Sequence, residues 1–177
     1  MGRRRDGGTV SWRLVDCWRA GHGWYGGTAC ECRTYTGWMG YPYDGINLRE
    51  HPEAYRIGRG EQGVFHAEPY KSELLPLWSF KDVAAAKESA DAIYGCFLRY
   101  KDEGDFVGMD VARKYLQMGF TRSRRYAKYG GGNKSKPLAE PDPVKSRAAE
   151  IFYEKWREAA EDEGYLELKE EHRRRAR

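Results

Sequence analysis

The chain has 177 residues, with 31 Lys and Arg against 27 Asp and Glu, and 40% of its residues are apolar. This composition is typical of one folded domain, and no stretch approaches the roughly 20 apolar residues that span a bilayer. The first residues, Met-Gly-Arg-Arg-Arg-Asp, lack the apolar core of a signal peptide, so we expect a soluble, cytoplasmic protein.

Residues 1–40 combine four tryptophans with frequent glycine and few helix formers, which indicates a partly ordered N-terminal extension. Three cysteines and a histidine lie there in a C-x4-H-x7-C-x-C arrangement: Cys17, His22, Cys30 and Cys32. Zinc sites pair their ligands as C-x2–4-C and H-x3–5-H. The spacing here favours free thiols, and we expect no metal and no cofactor. Residues 41–177 are predicted to form one globular domain.

The first part of that domain is irregular. A short helical turn is expected within 47–55, limited in length by Pro52. A glycine-punctuated loop then leads into a predicted strand at Gly63–Ala67, and Pro69 and Pro76 favour an extended chain up to Phe80. We therefore predict a short extended or hairpin segment over 62–80.

Four helices are predicted after this segment. Asp82 is a good N-cap for a helix to about Lys101, whose apolar residues recur at spacings of three and four. Asp105 caps a second helix that we expect to stop at Gly119, and Thr121 caps a short basic helix that ends before three glycines.

Asp142 and Pro143 open the last long helix, because proline is favoured at the first helical position. After Gly164 the chain is so rich in charge that we predict a frayed basic tail. These elements define a mostly helical α+β domain, with three or four helices packed on the extended segment.

The segment between Arg113 and Lys136 carries eight basic residues and no acidic one. The whole chain has a net charge of only +4, so the remainder is acidic. Unneutralised cations repel one another, and a polyanion is the usual compensation. Interleaved tyrosines would add base stacking. The sequence thus predicts a nucleic-acid-binding face of Arg113, Lys114, Arg122, Arg124, Arg125 and Lys128, with Arg59, Lys71 and Lys81 as further candidates.

Two other interpretations stay open. The basic segment could instead pair with the acidic residues of the last helix, which would favour a protein-interaction module: Glu150, Glu154, Glu158, Glu161 and Asp162. Alternatively, the glycine loop could serve an enzyme that acts on a phosphorylated or nucleotide substrate. Arg59 and Lys71 would then hold the anion, while Glu61 or Glu68 would supply the acid or base.

Several stretches of the chain carry a family resemblance. They are Tyr-Arg-Ile-Gly-Arg-Gly-Glu-Gln-Gly-Val from Tyr55, Glu-Pro-Tyr-Lys from Glu68, Trp-Ser-Phe-Lys from Trp78, and Asp-Phe-Val-Gly-Met-Asp from Asp105, followed by Ala-Arg-Lys-Tyr-Leu-Gln-Met-Gly-Phe-Thr-Arg from Ala112. Over about residues 44–172 the chain resembles DUF4385, a family of domains of unknown function found in microbes and their viruses. The resemblance implies one compact domain and assigns no activity.

Overall fold

Five α-helices form within residues 43–175, the part of the chain that the computed structural model describes. They are α1 (Tyr70–Leu74), α2 (Val83–Asp102), α3 (Phe106–Lys128), α4 (Pro143–Glu161) and α5 (Glu163–Arg175). None of these helices is both long enough and apolar enough to cross a membrane. The predictions for residues 1–40, including the candidate ligands Cys17, His22, Cys30 and Cys32, lie outside the described residues.

Three carboxylates begin the three long helices, as predicted. Asp82, Asp105 and Asp142 each accept a hydrogen bond from the backbone N–H three residues further on, at 2.8–3.0 Å. Each bond satisfies an N–H group that has no partner inside the helix, and such a cap stabilises a helix by about 1 kcal/mol. The starts of α2, α3 and α4 are therefore confirmed.

Helix α3 is at the centre of the fold formed by residues 43–175. It packs against α2 and α4 on its long buried side and also contacts α1 and α5. Its first four turns are buried almost all round, with Met109, Val111 and Leu116 fully inaccessible. The last two turns of α3 are less buried and keep a solvent-facing side.

The predicted α+β class is wrong, because within residues 43–175 the fold is all-α and contains no β-strand. Residues 63–66 form turns, and Gly63 has a φ of 87°, which reverses the chain where a strand was expected. The next residues form α1 and a 3-10 turn at Leu75–Leu77 instead of an extended segment. In the described part of the chain, extended pairing is limited to two isolated bridges, Asn47 with Glu68 and Tyr129 with Pro137.

The predicted break between two helices at Gly119 is also wrong, because α3 runs without interruption to Lys128. Gly119 lies inside the helix, where its lack of a side chain admits the ring of Phe152 from α4. A Cβ at this position would lie 2.3 Å from that ring. The glycine therefore permits a close helix contact, and Thr121 is a residue of the helix interior and not a cap.

The predicted frayed tail is instead helix α5, and Tyr165 and His172 are among the residues that anchor it to the rest of the fold. Tyr165 is 1% exposed. His172 Nε2 lies 2.9 Å from the carbonyl oxygen of Tyr55, and its ring centroid lies 4.8 Å from that of Phe106. The early helical turn is shorter than predicted and covers only Pro52–Ala54.

Replacing Gly119 with alanine tests the helix contact. We expect Gly119→Ala to lower the free energy of unfolding by about 1–3 kcal/mol, because the new methyl group overpacks the contact with Phe152. The matched control is Gly95→Ala in α2, where a Cβ meets nothing within 4 Å. It should raise stability by about 0.5–1 kcal/mol through helix propensity. Urea unfolding measures both, and equal effects at the two sites would contradict the packing argument.

Candidate nucleic-acid interface

Two of the predicted phosphate-binding residues lie in the interior. The side chain of Lys114 is fully buried and that of Arg113 is 11% exposed. Both lie one turn after Asp110 on α3, and both pair with its carboxylate, Arg113 at 2.9 Å and Lys114 at 3.2 Å. Their charges are therefore neutralised inside the protein, and they do not contribute to an exposed face.

The carboxylate of Asp110 accepts two further hydrogen bonds from tyrosines. The Tyr55 hydroxyl donates to one oxygen at 2.5 Å and the Tyr165 hydroxyl donates to the other at 2.7 Å. Lys114 Nζ in turn donates to the Tyr55 hydroxyl at 2.8 Å and to the carbonyl of Gln62 at 3.1 Å. This buried network joins α3 to α5 and to the irregular segment before α1.

The network shifts the pKa values of its members in directions that follow from burial and charge. Burial alone would raise the pKa of Asp110, but the charges of Arg113 and Lys114 and the two phenol donors hold that pKa well below its usual value. Burial lowers the pKa of Lys114 and raises that of Tyr55. At neutral pH the carboxylate is therefore ionised and balanced by positive charge.

Three further basic residues of α3 lie on its outer side. Arg124 and Lys128 are four residues apart and Arg125 and Lys128 three apart, so the three side chains share one helical face, and all three are exposed. Within residues 43–175 none of the three has a carboxylate partner. Arg125 Nε donates to the carbonyl of Gly132 at 2.5 Å, and the guanidinium of Arg124 lies 5.8 Å from the Phe120 ring.

The end of α3 helps the fold to tolerate these cations. They lie in the last two turns of the helix, where the dipole favours positive charge. The following loop folds back along this end, since Leu138 N–H donates to the carbonyl of Lys128 and Gly130 N–H donates to that of Lys136. Two more exposed lysines, Lys134 and Lys136, therefore extend the positive surface.

The glycine loop Gly58–Gly63 lies against the same outer side of α3. Glu61 accepts a hydrogen bond from the Thr121 hydroxyl, and a Cβ on Gly60 would lie 3.6 Å from the Gln117 amide. Thr121 precedes Arg124 and Arg125 by three and four residues, so the loop adjoins the cations. We define the basic surface as Arg124, Arg125 and Lys128 with the exposed neighbours Arg59, Lys134 and Lys136.

The other predicted residues have different surroundings. Lys71 pairs with Glu68 at 2.5 Å within the start of α1, and Lys81 is exposed next to Asp82. Arg122 is half-buried on another side of α3. Of the residues suggested for an enzyme, Lys71 contacts Glu68 and Glu61 contacts Thr121. The enzyme interpretation stays a prediction.

Helix α4 does not neutralise the basic surface through the acids that the sequence suggested. Glu150, Glu158 and Glu161 pair with bases of α4 itself: Arg147, Lys155 and Arg157. Asp162 pairs with Lys101 of α2 at 2.6 Å. The side of α4 that meets α3 is apolar, as the contact of Phe152 with Gly119 shows.

The family resemblance is confirmed by comparison with known families. The family model described as "Domain of unknown function (DUF4385)" matches residues 39–175, and the chain therefore belongs to this family. No curated protein and no solved structure matches the chain.

Replacing Asp110 with asparagine tests the buried network. At pH 7 we expect Asp110→Asn to cost about 3–5 kcal/mol of stability, because two positive charges lose their buried counter-charge. The pKa of Asp110 is lower in the folded state than the value of about 3.9 in an unfolded chain. Its stabilisation is therefore complete above about pH 5 and declines as the pH falls below that value.

Urea unfolding at pH 7 and at pH 4 or below measures both effects. Between pH 7 and pH 4, the free energy of unfolding should fall less in Asp110→Asn than in the unmodified protein, because the variant has no carboxylate at this position to protonate. Glu150→Gln removes an exposed carboxylate that pairs with Arg147 at the surface, and should change stability by less than about 1 kcal/mol. Similar costs for the two variants would show that burial of Asp110 is not decisive.

Proposed function

We propose that this protein binds the phosphate backbone of nucleic acid through the basic surface. Arg124, Arg125 and Lys128 would contact successive phosphates, with Arg59, Lys134 and Lys136 at the margins. Phosphate contacts release condensed counterions, which supplies most of the affinity of non-specific binding. The proposal therefore implies binding that weakens steeply with salt and depends little on base sequence.

One observation carries the proposal: three exposed cations share one helical face and have no carboxylate partner within residues 43–175. Several exposed arginines elsewhere on the described surface do have acidic partners, as Arg49 does in Glu73 and Arg147 in Glu150. Clustered charge without compensation destabilises a compact fold. A polyanionic ligand would supply the missing negative charge.

Removing the three cations together tests the proposal. We expect Arg124→Ala/Arg125→Ala/Lys128→Ala to abolish most binding at low salt and to reduce the slope of log K against log salt by about 2–3, because each phosphate contact contributes about 0.7–0.9. Fluorescence anisotropy of labelled oligonucleotides at several salt concentrations measures both quantities.

The matched control removes three arginines that pair with acids on their own helices. Arg147→Ala/Arg173→Ala/Arg175→Ala changes the net charge equally, but each residue has a glutamate partner three or four positions away. Its affinity and salt slope should stay close to those of the unmodified protein. Equal losses in both variants would mean that net charge, and not the basic surface, drives binding.

Neutralising Glu61 tests whether a negative charge next to the basic surface weakens phosphate binding. Its carboxylate lies beside Thr121, one helical turn from the cations, and should repel phosphate. Because glutamine still accepts the hydrogen bond from Thr121, Glu61→Gln should bind oligonucleotides roughly two- to fivefold more tightly at low salt. The gain should disappear at high salt. Weaker binding by this variant would argue for a role of the carboxylate itself.

A further inference from the structure

Three aromatic rings form a cluster where α3 meets α4. Phe120 of α3 stacks on Trp156 with ring centroids 5.8 Å apart and an interplanar angle of 13°, and it lies 5.0 Å from the ring of Tyr153. The rings of Tyr153 and Trp156 are themselves 5.8 Å apart. Phe120 and Trp156 are half-buried, whereas Tyr153 is 38% exposed. The cluster therefore presents one supported ring to solvent.

This ring cluster is continuous with the basic surface. Arg124 belongs to both, since its guanidinium lies 5.8 Å from the centre of the Phe120 ring. The guanidinium of a second arginine, Arg157 of α4, lies 6.0 Å from the centre of the Tyr153 ring. An aromatic ring beside cations that can hold phosphates is the arrangement by which proteins bind single strands, with bases stacked on rings and the backbone on basic side chains.

The charged residues around Tyr153 restrict the path that a bound nucleic-acid strand could take across the surface. A helix turns by about 100° per residue, so Glu150 and Glu154 lie on the side of Tyr153 that faces away from α3. Both residues are exposed. Glu150 pairs with Arg147 and Arg157 with Glu161. Glu154 is therefore the carboxylate there that would repel a phosphate backbone, whereas Arg124 would attract it. The strand would therefore cross from Tyr153 to the outer side of α3.

We infer that the ligand is single-stranded nucleic acid, with an unpaired base stacked on Tyr153 and the adjacent phosphates on Arg124 and the rest of the basic surface. The inference rests on the proposed function and adds a ligand class to it. In a duplex each base is already stacked between its neighbours and its faces are not available. Unpaired bases expose their aromatic faces, and all four bases have such a face. Stacking therefore distinguishes single-stranded from double-stranded nucleic acid and depends little on base sequence.

The test compares two substitutions of Tyr153 with two labelled probes, an oligothymidylate of about 20 nucleotides and a mixed-sequence duplex of the same length. Each bound base that stacks on a ring contributes roughly a fivefold to hundredfold gain in affinity. Tyr153→Leu should lose that factor for the single strand and leave the duplex affinity unchanged. Tyr153→Phe keeps the ring and should bind both probes as the unmodified protein does.

Two controls separate stacking from other effects. Tyr94→Leu removes a half-buried tyrosine on α2 that also lies next to a lysine, Lys155, and it should not change binding. Thermal unfolding of each variant establishes that the fold is retained. The slope of log K against log salt should be the same for Tyr153→Leu as for the unmodified protein, since no phosphate contact is removed.

The outcomes distinguish this inference from the proposed function. Salt-dependent binding that does not respond to Tyr153→Leu, or that favours the duplex, would overturn the stacking inference and leave the basic surface intact. Equal loss for both probes would also overturn it, because stacking cannot act on a duplex. If neither probe binds at low salt, both the inference and the proposed function are wrong.

Discussion

The buried carboxylate of Asp110 connects parts of the chain that are distant in sequence. It accepts hydrogen bonds from Tyr55 before α1 and from Tyr165 in α5, and it pairs with two cations of its own helix. Burying a lone charge costs several kcal/mol, and only a full set of partners offsets that cost. Because each partner comes from a defined place in the chain, the arrangement of the irregular segment and of α5 on α3 depends on this one group.

The same helix carries charge in two different ways. In its first half, Arg113 and Lys114 are neutralised inside the protein, whereas Arg124, Arg125 and Lys128 near its end face solvent. Lys114 links the two halves, because it also holds the carbonyl of Gln62 in the loop that lies over Thr121. The position of the glycine loop beside the exposed cations therefore depends on the buried network, and an altered core would displace part of the surface.

Helix starts could be predicted from the sequence because capping is local chemistry: the aspartates that begin α2, α3 and α4 satisfy backbone groups within three residues. Helix ends were harder to predict. Gly119 resembles a helix stop signal in the sequence. In the structure, glycine is needed there because the ring of Phe152 from another helix occupies the space of a side chain. The basic segment stands out in the sequence, but composition does not separate buried from exposed cations. The spacing of Asp110 to Arg113 and Lys114, three and four residues, was the available signal. The ring cluster around Tyr153 was missed because Phe120 is more than thirty positions from Tyr153 and Trp156 in the sequence.

Helix α5 completes the surroundings of the buried carboxylate. Its sequence is dominated by charge and looks dispensable, yet Tyr165 supplies one of the hydrogen bonds that the buried carboxylate needs, and His172 packs on the Phe106 ring. A version of the chain shortened to the end of α4 would leave that carboxylate with a missing donor and open its surroundings to water. The minimal unit that folds by itself therefore extends past His172, well beyond the last strongly apolar stretch of the sequence.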